Sequence, residues 1–278
     1  MSIGNKSFIQ APAPWTCKCE VYWMMFSGGE TLPDNVYAPL EAQSASFSHL
    51  QEAGRFRGGV GMIQIVRYSD TPVGSYDELV LLPGSFDLPG STKKYSRITR
   101  IYVSQKETCY NGRKNWGIPK HLARFSFSRQ SGPTATTGSL KVEVFPPTES
   151  ATIPFLVVQL KSIRWVPSMP FSTKIMPYVG LDAHLVQPPV PASEQAGEEE
   201  LTSSNGWLKT LTYLYSPNSS LVWVDVQQPA GKGDPSHDIG TTQGWWPAIK
   251  PWTIGLWLRD ATLVVETPEK ITVNSPDR

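Results

Sequence analysis

The sequence predicts a mainly β protein of the α+β class, with antiparallel strands and a few short helices. Segments with β-branched or aromatic residues at every second position recur along the chain, a spacing that is typical of half-buried strands. The chain has 25 prolines and 22 glycines in 278 residues, and many of them lie between these segments. Ten tryptophans supply aromatic bulk for a core. Together these features favour short strands and tight turns over a helical bundle.

The strand signal appears in two forms, and turn sequences such as SGG, TPVGSY and QSGP separate the segments. The alternating segments are predicted to bury one face, and they are 15–26, 61–68, 77–83, 96–104, 122–128 and 139–145. The more continuously apolar segments are predicted to be buried on both faces, and they are 153–160, 221–226 and 261–266.

Helix signals are few. The best candidate is the segment 42–56, in which Leu50 and Ala53 share one face and Gly54 lies near the end. Residues 187–206 are polar, acidic and rich in Pro and Ser, so we expect a mobile surface insertion there and not a domain boundary. Because strand signals continue on both sides of this segment, we expect a single domain over residues 1–278.

Charge and composition exclude several classes of partner. The formal net charge is +1, so nothing in the composition favours nucleic acid or an anionic membrane. No apolar run approaches the ~18 residues that a membrane helix needs. The N-terminal segment also lacks the apolar core of a secretory signal. We therefore expect a cytoplasmic protein that binds a small molecule, and homo-oligomerisation stays open.

Motifs of the common metal and cofactor sites are missing from the sequence. The three cysteines, at positions 17, 19 and 109, and the four histidines do not have the spacing of a zinc site. We expect Cys17 and Cys19 to be buried as small apolar residues. No glycine-rich phosphate loop and no Gly-x-Ser-x-Gly turn is present. The tryptophan-rich stretch 244–266 fits core packing best, although its rings could also close a ligand cavity.

The segment 111–125, NGRKNWGIPKHLARF, places Lys120 after a stiff and apolar lead-in. An exposed lysine has a pKa near ~10.4, whereas burial can lower that pKa by up to ~3–5 units. Gly117 allows a close approach and Pro119 stiffens the chain, so the segment is suited to a desolvated, nucleophilic amine. Taken alone, the segment fits a surface lysine, whose stem lies on apolar neighbours, better than a catalytic one.

Three stretches of the sequence, taken together, indicate a protein family more specifically than this segment does alone. They are GSYDELVLLPG (74–84), the stretch 98–127 and PFSTKIMP (170–177). Their order and spacing resemble the acetoacetate decarboxylase superfamily, in which a Tyr-x-Glu, a Gly-Arg and a Pro-Lys follow one another. Here these motifs fall at 76–78, 112–113 and 119–120. The resemblance implies a closed antiparallel β-barrel or cone of the acetoacetate decarboxylase type.

The resemblance also implies roles for individual residues. Lys120 is expected to attack a ketone and form a protonated imine, which accepts the electrons released when a β-carboxylate leaves as CO2. Glu78 is expected to orient the substrate or move protons. The candidate substrate-binding residues are Tyr76, Trp116, His121 and Arg113. A structural role is favoured for Arg113, and a partly exposed strand position competes with substrate binding for His121.

Three departures from the family pattern bear on the substrate. Lys120 is followed by His121, where the decarboxylases carry a second lysine. The first strand has no arginine to pair with a substrate carboxylate, and Cys19 lies about where that arginine is expected. Lys114 replaces the usual acidic residue after Gly-Arg, so Arg113 is expected to lose a structural partner. These departures indicate a substrate that is larger and less anionic than acetoacetate.

The sequence thus predicts a Schiff-base-forming lyase that acts on a β-keto acid or a polyketide-like ketone, with decarboxylation as the leading reaction. The same scaffold could catalyse aldol chemistry, dehydration or cyclisation in a natural-product pathway. A different alternative is a β-cavity protein that binds an apolar ligand, or cyclises it, without an imine. No cofactor and no metal are predicted for any of these reactions.

Overall fold

The fold is built around one hydrogen-bonded network of strands. The structure is a computed structural model, and it describes residues 8–129, 139–179, 182–228 and 244–273. The strands are β1 Trp15–Gly28, β2 Phe56–Asp70, β3 Tyr76–Leu82, β4 Ser85–Asp87, β5 Lys94–Ser96, β6 Arg100–Val103, β7 Lys120–Leu122, β8 Arg124–Arg129, β9 Ser139–Phe145, β10 Leu156–Ser162, β11 Met169–Ser172, β12 His184–Gln187, β13 Trp207–Gln227, β14 Ile254–Val265 and β15 Glu269–Ile271.

Helices in the described residues are short. Three single turns precede β2, and one longer helix lies between β6 and β7. The helices are α1 Pro39–Ala42, α2 Ala45–Ser48, α3 Leu50–Ala53 and α4 Lys106–Trp116, and a 3₁₀ segment covers Thr173–Val179. In the part of the chain that the structure describes, no helix is both long enough and apolar enough to cross a membrane.

The strand network closes on itself. Strand β2 pairs with β4, and the path continues through β5 and β12 to β13. Strand β13 also pairs with β14, β14 pairs with β1, and β1 pairs with β2. The sheet therefore returns to its starting strand, which confirms the predicted mainly β fold with ring closure and short helices.

Two strand pairs are parallel and depart from the predicted antiparallel pattern. They are β5 with β12 and β6 with β7. Parallel neighbours need a crossover connection, and α4 supplies it between β6 and β7. The helix ends at Gly117, which has the left-handed φ of 63° and donates its N–H to the carbonyl of Arg113. The chain then turns back so that Lys120 opens β7 beside Ile101.

The two faces of β3 bury different environments. Leu79 and Leu81 point into a core with Ile63 and Ile65, where all four side chains are fully buried. The alternate residues of β3, at positions 76, 78, 80 and 82, line a cavity on the other face. The period-two alternation of a strand thus separates the core from the cavity within one short segment.

The helix predictions were only partly correct. Segment 42–56 forms no continuous helix, because Ser44 and His49 have extended backbone conformations that divide it into single turns. Gly54 does end the last turn, with φ of 78°. The helix α4 was not predicted, since it contains Asn111 and Gly112, which have low helix propensity, and few apolar residues.

Segment 187–206 lies against the body of the protein, although it contains little regular structure. Val190 and Leu201 are buried, and the carbonyl oxygens of Pro191 and Thr202 accept hydrogen bonds from Arg113. Lys106 of α4 forms an ion pair with Glu200, at 2.9 Å between nitrogen and oxygen. Parts of this segment therefore pack against the rest of the protein, whereas a mobile surface insertion was expected. The mobility of the segment stays a prediction.

We expect Leu79→Ala to lower the free energy of unfolding by about 2–5 kcal/mol, because it leaves a cavity in a fully buried core. Denaturant unfolding would measure this. Leu50→Ala is the matched control, since Leu50 is 68% exposed and its truncation should change stability by less than about 0.5 kcal/mol. Equal effects of the two substitutions would contradict the assignment of Leu79 to the core.

Candidate active site

Lys120 lies inside the protein, at the start of β7. Its side chain lines the cavity, and the residue is only 5% exposed. The Nζ atom is 2.8 Å from Oε2 of Glu78, which is also 5% exposed and lies on β3. The strand order β3–β6–β7 places the two residues on the same face of the sheet with one strand between them. The site is therefore built around a buried amine–carboxylate pair.

Hydroxyl groups complete the polar contacts of this pair. The amine of Lys120 donates to Oγ1 of Thr108, at 3.0 Å, and Thr108 belongs to α4. The phenol of Tyr68 donates to Oε1 of Glu78, at 3.1 Å. The ring of Tyr76 stacks on Tyr68 and lies 5.2 Å from the amine nitrogen. A buried charge pair needs such partners, because unpaired polar atoms are costly in an apolar setting.

The protonation state of Lys120 results from two opposing effects. Burial favours the neutral amine, but the negative charge of Glu78 outweighs it and raises the pKa of Lys120 above its ordinary value. The sequence had suggested that desolvation alone would lower the pKa. That expectation was wrong for this structure, because the sequence pattern did not indicate how close the carboxylate would lie. In the resting protein the amine is therefore charged and not nucleophilic.

The cavity around the pair is mainly apolar and has a volume of about 210 Å³. Its aromatic walls include Trp15, Trp23 and Trp116. Other walls come from aliphatic residues of β2, β3, β6, β13 and β14. Cys17 also lines it, and burial raises the pKa of this thiol to about 12, so the thiol is a neutral part of the wall. The predicted burial of the free cysteines 17 and 19 is confirmed.

Charged groups are few in this cavity. Among the described residues that line it, they are Lys120, Glu78 and Asp182. This lining includes no arginine, in agreement with the missing arginine in the first strand. In the described part of the chain, no group of three or more His, Cys, Asp or Glu side chains could hold a metal ion.

Gly112 makes room for the lysine. A Cβ atom built on Gly112 would lie 2.6 Å from Cδ and 2.7 Å from Cε of Lys120, well inside van der Waals contact. The helix α4 therefore passes directly over the aliphatic stem of the lysine. This contact explains why a glycine occupies the last turns of the helix, where it lowers helix propensity.

Behind β7, on the side away from the cavity, a second buried charge cluster supports the backbone of Lys120. The two carboxylate oxygens of Glu41 bind Nη1 of Arg113, at 2.8 Å, and Nε2 of His121, at 2.7 Å. Arg113 also donates to the carbonyl oxygen of Lys120, at 3.1 Å. Arg113 and Glu41 are fully buried.

This arrangement corrects two predicted substrate contacts. Arg113 and His121 do not line the cavity that contains Lys120. His121 follows Lys120 on β7, and adjacent residues of a strand point to opposite faces. Arg113 lies on α4, and its guanidinium group binds Glu41 and the carbonyl oxygen of Thr202 instead. Arg113 has a structural partner after all, since Glu41 takes the place of the missing acidic residue after Gly-Arg. Glu41 comes from α1, far away in the sequence, so local spacing could not reveal it.

Comparison with known proteins agrees with this geometry. Residues 50–144 match the model of the acetoacetate decarboxylase (ADC) family, a range that includes both Glu78 and Lys120. The fold also matches the crystal structure of acetoacetate decarboxylase from Legionella pneumophila, with a TM-score of 0.57 and 10% identity over 98% of this chain and 93% of the other. Residues 50–144 of this protein therefore resemble the acetoacetate decarboxylase family, and the described chain has the acetoacetate decarboxylase fold.

A second solved structure with this fold is equally distant in sequence. An acetoacetate decarboxylase-like enzyme from Sphingomonas wittichii RW1 has a TM-score of 0.57 and 8% identity, over 98% of both chains. At this identity the likeness concerns the fold alone.

Higher identity is found over a shorter region. The proteins named NEOXANTHIN-DEFICIENT 1 from Oryza sativa subsp. japonica and Arabidopsis thaliana are 37% and 36% identical over 67 residues. The match spans 24% of this chain and only 22% and 23% of the length of these two relatives.

The sequence prediction found part of the site. Lys120, Glu78, Tyr76 and Trp116 come together around one cavity. Other contributors were missed. The hairpin register places Tyr68 opposite Tyr76, and counting back across the TPVGS turn could have indicated it. Thr108 and Gly112 act from an unpredicted helix, so no strand pattern pointed to them. Their roles as catalytic or binding residues stay proposals.

We expect Gly112→Ala to displace Lys120 from Glu78. The helix itself should gain up to about 1 kcal/mol from alanine, whereas the clash with Lys120 should remove about 1–3 kcal/mol. Without the nearby carboxylate, burial should dominate and the pKa of Lys120 should fall. Thermal unfolding and the pH dependence of Lys120 acylation, followed by mass spectrometry, would measure both effects. Gly29→Ala is the control, because its nearest contact would be 3.7 Å away. A Gly112→Ala protein with unchanged stability and Lys120 reactivity would contradict the contact.

We expect Glu41→Gln to remove part of the acid sensitivity of the fold. Burial opposes the charge of Glu41, but His121 and Arg113 outweigh it and hold the pKa of Glu41 below its ordinary value of about 4.3. The charged carboxylate therefore stabilises the fold above that value, and this contribution is lost as pH falls towards the lowered pKa.

The measurement is the free energy of unfolding as a function of pH below about 5. Glu41→Gln should lower stability near neutral pH by about 3–5 kcal/mol, because Arg113 stays buried without a counter-charge. It should also flatten the decline of stability in acid. Glu149→Gln is an exposed control and should leave the profile unchanged. Identical acid slopes for wild type and Glu41→Gln would contradict the prediction.

Proposed function

We propose that this protein is a Schiff-base-forming lyase that acts on a carbonyl compound through Lys120, with decarboxylation as the leading reaction. The observation that supports it most is the amine of Lys120, buried in an apolar cavity and 2.8 Å from Glu78. Such a pair holds a nucleophile and its base in contact, which is the arrangement that general base catalysis needs.

The resting ion pair must first become neutral. In an apolar cavity the neutral amine and carboxylic acid compete with the ion pair, because burial disfavours both charges. When a ketone displaces water, the proton passes from Lys120 to Glu78. The amine nitrogen then attacks the carbonyl carbon, and Glu78 returns the proton to the carbonyl oxygen.

Dehydration completes the imine. Glu78 removes a second proton from the nitrogen and delivers it to the hydroxyl group, which leaves as water. The product is a protonated imine on Lys120, and the carboxylate of Glu78 lies beside its positive charge. Tyr68 and Thr108, which contact the carboxylate and the amine, keep the two groups in place during these transfers.

The protonated imine is an electron sink. If the substrate carries a β-carboxylate, the bond to that carboxylate breaks, CO2 leaves, and the electron pair moves through the enamine to nitrogen. The enamine is protonated at carbon by water, and hydrolysis then releases the product and the free amine. With a substrate lacking that carboxylate, Glu78 would remove a proton from the carbon next to the imine, and the C–H electron pair would form the enamine. That enamine supports aldol chemistry, dehydration or cyclisation.

The cavity lining favours a substrate with a large apolar part. An arginine binds a carboxylate with two parallel hydrogen bonds, and the described lining of this cavity contains no arginine. A small β-keto acid would therefore lack its usual anchor here. A larger carbonyl compound would gain affinity from the tryptophan walls.

A second candidate function is non-covalent binding of an apolar ligand. The raised pKa of Lys120 favours it, because a permanently charged amine would serve only to hold Glu78 and shape the cavity. The two functions differ in one observable, which is a covalent bond at Lys120.

We expect reduction by borohydride, in the presence of ketones and 1,3-diketones, to leave an alkyl adduct on Lys120 that peptide mass spectrometry can locate. Lys120→Met should abolish both the adduct and turnover. Lys161→Met, at an exposed position, should change neither. Absence of the adduct across the panel of ketones, or full turnover by Lys120→Met, would reject imine chemistry and favour the binding function.

The Glu78→Gln variant separates the role of Glu78 as a counter-charge to Lys120 from its role as a proton carrier. Without the carboxylate, the main influence that raises the pKa of Lys120 is gone and burial should dominate. The pKa should therefore fall, and simple acylation of Lys120 should begin at lower pH than in wild type. Imine formation with ketones should nevertheless slow by about 10²–10⁴-fold, because the proton carrier is lost. Unchanged imine formation in Glu78→Gln would remove Glu78 from the mechanism.

A further inference from the structure

Two buried polar groups in the cavity have no hydrogen-bond partner among the described residues. One is the indole Nε1–H of Trp23, a residue that is 7% exposed, and the other is the hydroxyl of Thr210, which is 3% exposed. Both residues line the same cavity as Lys120. An indole N–H can only donate, and burying it without an acceptor is unfavourable. The mechanism proposed above uses neither group.

Trp23 has a polar neighbour on the next strand. Gln64 of β2 pairs directly with Trp23 of β1, and both side chains line the cavity. The one hydrogen bond of the Gln64 side chain in the described structure is a long one, from Nε2 to the sulfur of Met62, at 3.6 Å. A sulfur atom is a weak acceptor, so this amide retains most of its capacity for a ligand.

The position of this pair relative to Lys120 follows from the strand register. Lys120 lies beside Ile101, Ile101 beside Val80, Val80 beside Gln64, and Gln64 beside Trp23. These five residues form one row across five adjacent strands, and all of them line the cavity. At ~4.8 Å per strand, Gln64 lies roughly 14 Å from Lys120 along the sheet. Between them, Ile101 and Val80 provide an apolar stretch.

We propose that Trp23 and Gln64 form a second polar subsite, which binds an uncharged oxygen of the substrate at the end remote from the reacting carbonyl. The indole N–H of Trp23 and the amide N–H groups of Gln64 are uncharged donors, which suits them to hydrogen-bond a hydroxyl, ether or carbonyl oxygen. A carboxylate does not match them, because a buried carboxylate requires a cationic partner. This inference deepens the proposed function and rests on it for the position of the reacting carbonyl. The hydroxyl of Thr210, on a different wall of the cavity, is a further contact for such an oxygen.

The substrate class follows from the row of residues. The molecule carries a ketone or aldehyde at one end, an apolar chain or ring system in the middle, and a neutral oxygen function at the other end. A small β-keto acid is too short to reach both ends. The subsite therefore determines specificity for elongated, oxygenated carbonyl compounds.

The test compares medium-chain 2-alkanones with their ω-hydroxy derivatives, in a series of increasing chain length. Affinity is measured by calorimetric titration, and imine formation by borohydride trapping at Lys120. At the chain length that spans the row, the hydroxylated ketone should bind wild type roughly tenfold more tightly than the plain ketone, as one hydrogen bond to a buried donor predicts. No preference at any chain length would overturn the subsite.

Trp23→Phe should abolish this preference, because it deletes the N–H and keeps an aromatic ring. The readout is the ratio of the two affinities, so a general loss of packing that weakens both ketones equally leaves the ratio at its wild-type value. Trp246→Phe is a matched control. The indole nitrogen of Trp246 is also buried without a hydrogen-bond partner in the described structure. Trp246 packs in the core that contains Leu79 and Ile63, however, and it does not line this cavity. A preference that survives Trp23→Phe, or that Trp246→Phe reduces equally, would overturn the assignment.

Lys120→Met separates this inference from the proposed function. If the hydroxylated ketone keeps its advantage in Lys120→Met and Trp23→Phe removes it there, the subsite stands even where no imine forms. If both ketones label Lys120 equally well in wild type, the imine chemistry stands and the subsite is rejected.

Discussion

The structure depends on the balance of charge within one buried pair. Lys120 and Glu78 are enclosed by apolar side chains, where either charge alone would be strongly unfavourable. Each is charged because the other is 2.8 Å away, and the hydroxyl groups of Thr108 and Tyr68 satisfy their remaining capacity. Moving a proton from Lys120 to Glu78 therefore neutralises both groups at once. Because of this coupling, the ion pair is a candidate for proton transfer during catalysis.

Several elements hold this pair at its distance. The parallel pairing of β6 and β7 requires a crossover, and α4 provides it directly above the lysine stem. Gly112 allows the helix to approach, and Thr108 on the same helix reaches the amine. Arg113, which follows Gly112 in α4, donates a hydrogen bond to the carbonyl oxygen of Lys120. The side chain and the backbone of Lys120 are thus both held by residues of one helix.

The prediction from sequence succeeded for some parts of the site and missed others. The mainly β fold class was predictable from strand periodicity, and the closed sheet was implied by the family resemblance that the order of the motifs carries. The continuous helix expected over 42–56 was wrong, and parts of the segment 187–206 pack against the body of the protein while residues 194–197 are exposed. Turn-forming and polar residues do not reveal whether the rest of the protein packs against them. Arg113 likewise found its partner in Glu41, seventy-two positions away.

By itself, the sequence determined which residues are candidates for chemistry and which faces of the strands are apolar, since alternation and residue type do not depend on distant contacts. Only the tertiary structure decided the charge of Lys120, because the pKa of a buried amine follows from the distance to Glu78 and not from its own neighbours in the chain. It also separated Lys120 from His121, which lie on opposite faces of β7 and belong to different environments. Finally, it aligned Trp23 and Gln64 with the lysine across five strands, an alignment that arises from strand register and cannot be read from spacing.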